Sequence, residues 1–335
     1  MLLTLLLVVA FAIIRMKDLF TIVMLLGIYG LLSASFFVAM DAVDVAFTEA
    51  AVGAGISTLL MLVVITMTGR NENPTRHKPL LALAVVVFTG ALLIYGTLDM
   101  PIFGSADAPI HQHVAPRYIN DSMQEIGIPN MVTSVLASYR AFDTFGEVVV
   151  IFTAGIGILA LLSVRRRPEE SESTSTTDDS MHEQYLIIRI VSKILLPFIL
   201  LFALYVQFHG DYGPGGGFQA GVIFAAAIIL YAMLFGLNTA RKVINQSFIQ
   251  FIAAVGVLLY GSVGIVSMLN GGKFFDYNVL ANDPIAGQHL GILLIEWGVG
   301  CTVAAVMIIL FFSFAGRREM HQRNENVNNK DQELS

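Results

Sequence analysis

The chain has 335 residues, of which 56% are hydrophobic and 13% charged, against roughly 25% charged in soluble domains. Its net charge of −6 leaves no basic surplus for nucleic acid. A single cysteine, Cys301, excludes an intrachain disulfide and a cysteine-held redox cluster. These bounds point to an all-α integral membrane protein.

Long apolar runs give nine expected spans, at roughly 1–15, 18–39, 43–68, 79–98, 142–164, 186–208, 217–238, 247–269 and 288–314. The first run has no positive charge before it, and Arg15 and Lys17 follow it. This is the reverse of a secretory signal, so it reads as a span with its N-terminus outside. Alternating the connections then places 16 of the 19 basic residues on one side, leaving out Arg117, Arg140 and Lys273. The positive-inside rule makes that side, and the C-terminus, cytoplasmic in the inner membrane.

Composition divides the chain further. Residues 1–98 hold the first four spans. Residues 99–164 comprise a long external segment and the fifth span. Residues 165–184 are polar and aperiodic, the pattern of a disordered cytoplasmic linker. Residues 185–316 hold four spans, and 317–335 read as a disordered tail.

Four places carry chemistry. Asp41, Asp44 and Glu49 open the third span, where an ionised carboxylate in hydrocarbon costs several kcal/mol. Asp41 and Asp44 could simply cap the helix, where its dipole favours acids. Glu49 is too deep for that. The stripe Ala46, Ala50, Ala54, with Gly53 and Ser57 on another face, predicts close helix packing on more than one side.

In the fifth span, Arg140, Asp143 and Glu147 share a helical face. They form either a structural ion pair or a proton-loading group. Glu296 lies about a third of the way into the last span, with His289 seven residues before it and Gly300 four after. An intramembrane Glu is a functional candidate, with His289 the expected neighbour.

The run from His209 to Gly221 contains Gly210, Pro214, Gly215, Gly216 and Gly217. Its glycines suit a tight structural turn or an irregular, protein-covered ion entry. His111 and His113 lack a third metal ligand and read as loop residues.

Three stretches carry a resemblance. Asp44-Val-Ala-Phe-Thr-Glu-Ala-Ala-Val-Gly-Ala-Gly-Ile-Ser-Thr58 resembles the signature of the D-type component of membrane-bound hydrogenases. The same signature occurs in the C-terminal region of the large A-type component of Mrp-type cation/proton antiporters. The family usually has Pro-Asp where this chain has Val43-Asp44. Arg140-Ala-Phe-Asp-Thr-Phe-Gly-Glu147 is similar to the adjoining E-type module, and His209-Gly-Asp-Tyr-Gly-Pro-Gly-Gly-Gly-Phe-Gln219 to the B-type component of Mrp antiporters.

The resemblance implies a subunit of a large Na+- and H+-translocating assembly, with Glu49 and Glu147 lining the ion path. It implies no cofactor, and partners that include large antiporter-like subunits, none of which this chain resembles. A redox-driven membrane arm and a sealing scaffold remain as alternative roles.

Overall fold

The computed structural model describes residues 1–72, 79–102, 104–162 and 186–333, with side chains through Arg317. The linker expected at 165–184 lies outside the described residues. The long helices are α1 (Leu2–Arg15), α2 (Leu19–Ala39), α3 (Val43–Thr68), α4 (Pro79–Thr97), α5 (Ala141–Leu162), α6 (Leu186–His209), α7 (Gly217–Phe235), α8 (Gln246–Leu269) and α9 (Pro284–Glu333). Among the described residues there is no strand, only an isolated bridge between Asp18 and Asn71.

Eight of these helices are long and apolar enough to cross a membrane. The chain is thus an all-α, multi-pass membrane protein. The expected first span, α1, has 14 residues, fewer than the roughly 20 needed by a lone spanning helix. It packs along α2.

α3 is continuous, but residues Ala50–Ile56 are wound as π-helix, a form that often marks functional segments. The small residues there let α2 come close: a Cβ on Gly30 would stand 2.9 Å from the Ala54 backbone nitrogen. α7 and α9 meet other parts of α3. Packing on more than one side is what the alanine and glycine stripes require.

A second π-helical stretch, Ser134–Tyr139, precedes α5. Between them Arg140 leaves helical geometry, at φ −121° and ψ 30°. Arg140 therefore does not sit on one helical face with Asp143 and Glu147 as the spacing suggested, because the helix breaks at that residue.

α7, α8 and α9 form the densest core. α7 and α9 cross on glycines: a Cβ on Gly221 would lie 2.7 Å from the Gly300 carbonyl oxygen, and one on Gly217 would run into the Glu296 carbonyl. Fully buried Ile292, Ile295, Val303 and Val306 line the core side of α9.

α9 continues to Glu333, where the composition suggested a disordered tail. Extending an existing helix needs no new nucleus, which is the costly step in helix formation. At 50 residues it is roughly 75 Å long.

Among the described residues, the polar contacts between the ends of different spans join segments that the alternation puts on one side. Arg70 pairs with Asp18 at 2.6 Å, and Arg241 donates to the Phe312 carbonyl at 3.2 Å. At the opposite ends, Asn130 Nδ2 donates to the Gly210 and Gly213 carbonyls, each at 3.0 Å.

Candidate functional site: a carboxylate-lined cavity

The glycine-rich turn is built first. The Tyr212 and Gly213 amides donate to the His209 carbonyl, and the Gly216 amide reaches back to the Val206 carbonyl at 3.0 Å. The turn thus folds back over the last turn of α6. Gly216 has φ 111°, in the left-handed region that favours glycine. The His209 ring stacks on Tyr205, with centroids 5.0 Å apart, and packs against Gly213.

The external segment clamps this turn. Besides Asn130, the Thr133 hydroxyl donates to the Gly210 carbonyl at 2.6 Å, and the Asn130 amide donates to the Asp211 carbonyl at 3.0 Å. Backbone groups of an irregular loop are thereby satisfied by protein.

Beside the turn lies a cavity of about 330 Å³. α3 lends it Asp44 and Thr48, α5 lends Thr144 and Glu147, and α9 lends Glu296. Gly215, Gly216, Gly217 and Gln219 close another wall. Three of the intramembrane acids singled out by sequence therefore share one space, although they are up to 252 positions apart (Asp44 to Glu296).

Each acid is placed differently. The Gly215 amide donates to Asp44 Oδ1 at 3.4 Å. Asp44 is not a cap: Ala42 holds the N-cap position without a side-chain bond, and Asp41 has φ 63°. Glu296 Oε1 faces the α-carbons of Gly210 and Gly216, where only hydrogens stand. Glu147 is exposed on the open side, one helical turn beyond Thr144.

Other expected site residues lie elsewhere. Glu49, half-buried, lies against Gly53 and does not line this cavity. Arg140 and Asp143 pair at 2.5 Å, both more than half exposed. His289 faces Asp211, Nδ1 to Oδ2 3.9 Å, rather than Glu296, because it sits about two turns nearer the helix end than Glu296 does. Burial pushes the Asp211 carboxyl above its usual range, opposed in part by His289. His111 and His113 are exposed.

Sequence reading did not single out Thr48, Gln219, Asn130, Thr133 or Asp211. Thr48 was within reach, being four residues after Asp44 on the same helical face. Asn130 and Thr133 had no signal, since their partners are some 80 residues away.

Tyrosines from the second half hold the break in front of α5. The Tyr260 hydroxyl donates to the Ala141 carbonyl at 2.8 Å, and Tyr277 to the Ala137 carbonyl at 3.0 Å. Phe145 packs on Tyr260 and Phe275, with centroids 5.4 and 5.8 Å apart. This seam orients the α5 face that carries Thr144 and Glu147.

Residues 187–309 match the family model described as a domain related to the MnhB subunit of Na+/H+ antiporter. The antiporter protein mnhB2 of Staphylococcus aureus (strain Newman) is 32% identical over 141 residues, 41% of this chain and 99% of that protein. The chain belongs to the MnhB family.

The remainder of this MnhB-family chain matches two further models, MbhD of MBH over residues 4–70 and MbhE of MBH over residues 76–180. The three resemblance motifs fall one in each matched range. A Rhizobium meliloti (strain 1021) protein, named as the A/B component of a K(+)/H(+) antiporter, is 24% identical over 321 residues. That alignment takes in 87% of this chain and 31% of the relative, so the chain spans about a third of that protein's length.

Among solved structures, the Mrp complex from Dietzia sp. DQ12-45-1b contains a chain with the same fold. Its TM-score is 0.75 at 24% identity, over 94% of this chain and 34% of that one. A chain of the membrane-bound sulfane sulfur reductase, an archaeal respiratory membrane complex, aligns with TM-score 0.50 and 26% identity, over 70% of this chain and 98% of that chain.

Proposed function

We propose that this chain is a membrane subunit of a multisubunit monovalent cation/proton antiporter of the Mrp type. Its N-terminus lies outside, its C-terminus is cytoplasmic, and it works beside large antiporter-like subunits. The cavity of Asp44, Glu147 and Glu296 is a station on the ion route, near the outer face, and Glu49 is the next acid inward.

One observation carries this reading: three stretches of the chain, each matching a different family model, contribute an acid to one cavity. Buried carboxylates are expensive in a membrane and are retained where they meet water or ions. The name of the Rhizobium relative supports antiport, with K+ as well as Na+ as candidate cargo.

The test is cation-driven proton movement in inverted membrane vesicles that hold the whole complex. Glu296→Gln and Glu147→Gln are each expected to lower exchange by about tenfold or more with assembly intact; one lost charge-assisted interaction supplies that factor. Wild-type exchange in both variants would overturn the proposal. Lost assembly for Glu296→Gln, with normal turnover of what does assemble, would favour a scaffold.

The likeness to a sulfane sulfur reductase chain favours a second reading, in which the same station serves a redox-driven pump. Copurification of the tagged chain separates the two: iron–sulfur proteins in the isolated complex would support the second reading and overturn the first.

A further inference from the structure

Gln219 is the unassigned group in the cavity. It is only 7% exposed, yet it lines the space that holds the acids. Its amide orientation follows from its neighbours. The Thr48 hydroxyl donates its one hydrogen to the Asp44 carbonyl at 3.0 Å, so the Thr48 oxygen can only accept. The Gln219 Nε2 group therefore donates to it, at 3.0 Å.

That leaves Oε1 turned the other way. It reaches the α-carbon of Gly216, where a Cβ would lie 3.8 Å from it and 3.1 Å from Glu296 Oε1. Oε1 accepts no hydrogen bond among those found for the described residues. Oε1 is not sealed off from solvent, so it opens on the cavity beside Glu296, where it is free to accept from water or to ligate a cation.

The donor set also indicates the kind of cation. Among the described residues, no three His, Cys, Asp or Glu side chains converge closely enough to hold a metal ion together. A divalent ion that favours several carboxylates is poorly served. One carboxylate and a neutral carbonyl oxygen suit a monovalent cation that keeps part of its water.

We infer that Gln219 Oε1 and Glu296 together form a coordination site for a partly dehydrated monovalent cation, Na+ or K+, in the cavity. The inference rests on the proposed antiport role and narrows it. An amide does not titrate, so Gln219 serves the metal cation and not the proton. Glu296 alternates between the two.

The experiment uses inverted vesicles carrying the whole complex. It measures the half-saturating Na+ and K+ concentrations at fixed pH, and the pH midpoint of exchange at saturating cation. Gln219→Leu is expected to raise the half-saturating concentration of the transported cation by about tenfold, the size of one interaction with a charged group. The pH midpoint stays where it was.

Unchanged half-saturation in Gln219→Leu overturns the inference, and more firmly so if the pH midpoint moves, since that marks a proton relay. Where the leucine variant does not assemble, Gln219→Glu keeps the shape. It is expected to make half-saturation steeply pH-dependent, and half-saturation equal to wild type at every pH overturns the site. The two proposals fail separately. Full activity in both Glu296→Gln and Glu147→Gln removes the ion station, whereas loss of activity in them with an unaffected Gln219→Leu removes only the amide ligand.

Discussion

Two groups of helices, α2–α4 in the first half of the chain and α7–α9 in the second, are held in different ways, with α5 and α6 between them at 11% buried each. In α2, α3 and α4 the apolar membrane windows are 17%, 6% and 0% buried by the rest of the chain, against 44%, 33% and 67% in α7, α8 and α9. Hydropathy is nearly equal throughout, 2.1 to 2.3. Apolarity therefore commits a helix to the bilayer but does not say what covers it. What differs is close packing: α7 and α9 touch through glycine backbones, whereas no atom of the described residues lies within 4 Å of a Cβ on Gly90 or Gly96 in α4. The carboxylate cavity lies on the seam between the two regimes, walled on one side by the tight core and on the other by the loosely held α3 and α5.

The contrast breaks most completely at the glycine crossing. Gly300→Leu would drive a side chain into Gln207 Oε1 and the Gly217 backbone. Gln207 Oε1 is the end of a side chain and can swing aside, but the Gly217 carbonyl, 3.3 Å from a Cβ there, is backbone, so a leucine can be housed only if α7 and α9 part. Overpacking of this kind costs about 1–3 kcal/mol and sometimes more. The expected outcome is a large fall in folded protein, read by fluorescence-detected gel filtration after solubilisation. The matching change in the loose half, Gly90→Leu, meets no atom within 4 Å and is expected to leave that profile unchanged. Equal effects at the two sites would dissolve the distinction between the halves.

The seam comes next. Tyr260→Phe and Tyr277→Phe each remove a hydroxyl from a buried carbonyl at the break before α5. A lost buried hydrogen bond costs about 0.5–1.5 kcal/mol net, and more when an acceptor is left dry. Each variant should lower the melting temperature of the solubilised protein by a few degrees. Because both hydroxyls hold one backbone segment, the double variant should depart from additivity. Strict additivity would mean that the break is fixed by something else. In contrast, Arg140→Ala removes only an exposed pair, worth at most about 1 kcal/mol.

The regions also differ in how far their sequence could be read. Span positions, and the acids Asp44, Glu147 and Glu296, follow from hydropathy and from the cost of charge in lipid, which are local properties. The meeting of those acids is not local. It depends on Asn130 and Thr133 grasping a turn some 80 residues away, on the break at Arg140, and on Gly217 and Gly221 admitting α9. The pairing of His289 was misassigned for the same reason: heptad spacing links it to Glu296, but the loop after α6 brings Asp211 nearer. The helical tail was misread because polar composition was weighed without the helix that runs into it. The exposed pair Arg140–Asp143, by contrast, was visible as nearness in the chain, although the helix break at Arg140 removes the shared face that the spacing suggested.

The smallest expected effect concerns Asp211 at the outer edge of the seam. Its carboxyl is pushed up from the ordinary Asp value, first by burial, with the His289 charge pulling the other way. A folded-state pKa above the unfolded one means that the folded protein binds the proton more tightly. This contribution is fully present below the unfolded value of 3.8 and is lost as pH rises through the folded value. Above that, the ionised, half-buried carboxylate is a constant burden. Asp211→Asn cannot ionise, so the variant should gain in melting temperature relative to wild type as pH rises from about 3.5 towards neutrality. The difference should be smaller than for either tyrosine variant, because the side chain remains 24% exposed. A melting difference that is flat with pH would mean that water reaches Asp211 freely, and that the clamp made by Asn130 is looser than its two 3.0 Å bonds indicate. A difference of opposite sign would mean that the attraction to His289 outweighs burial there, making the pair an ionic tie across the seam.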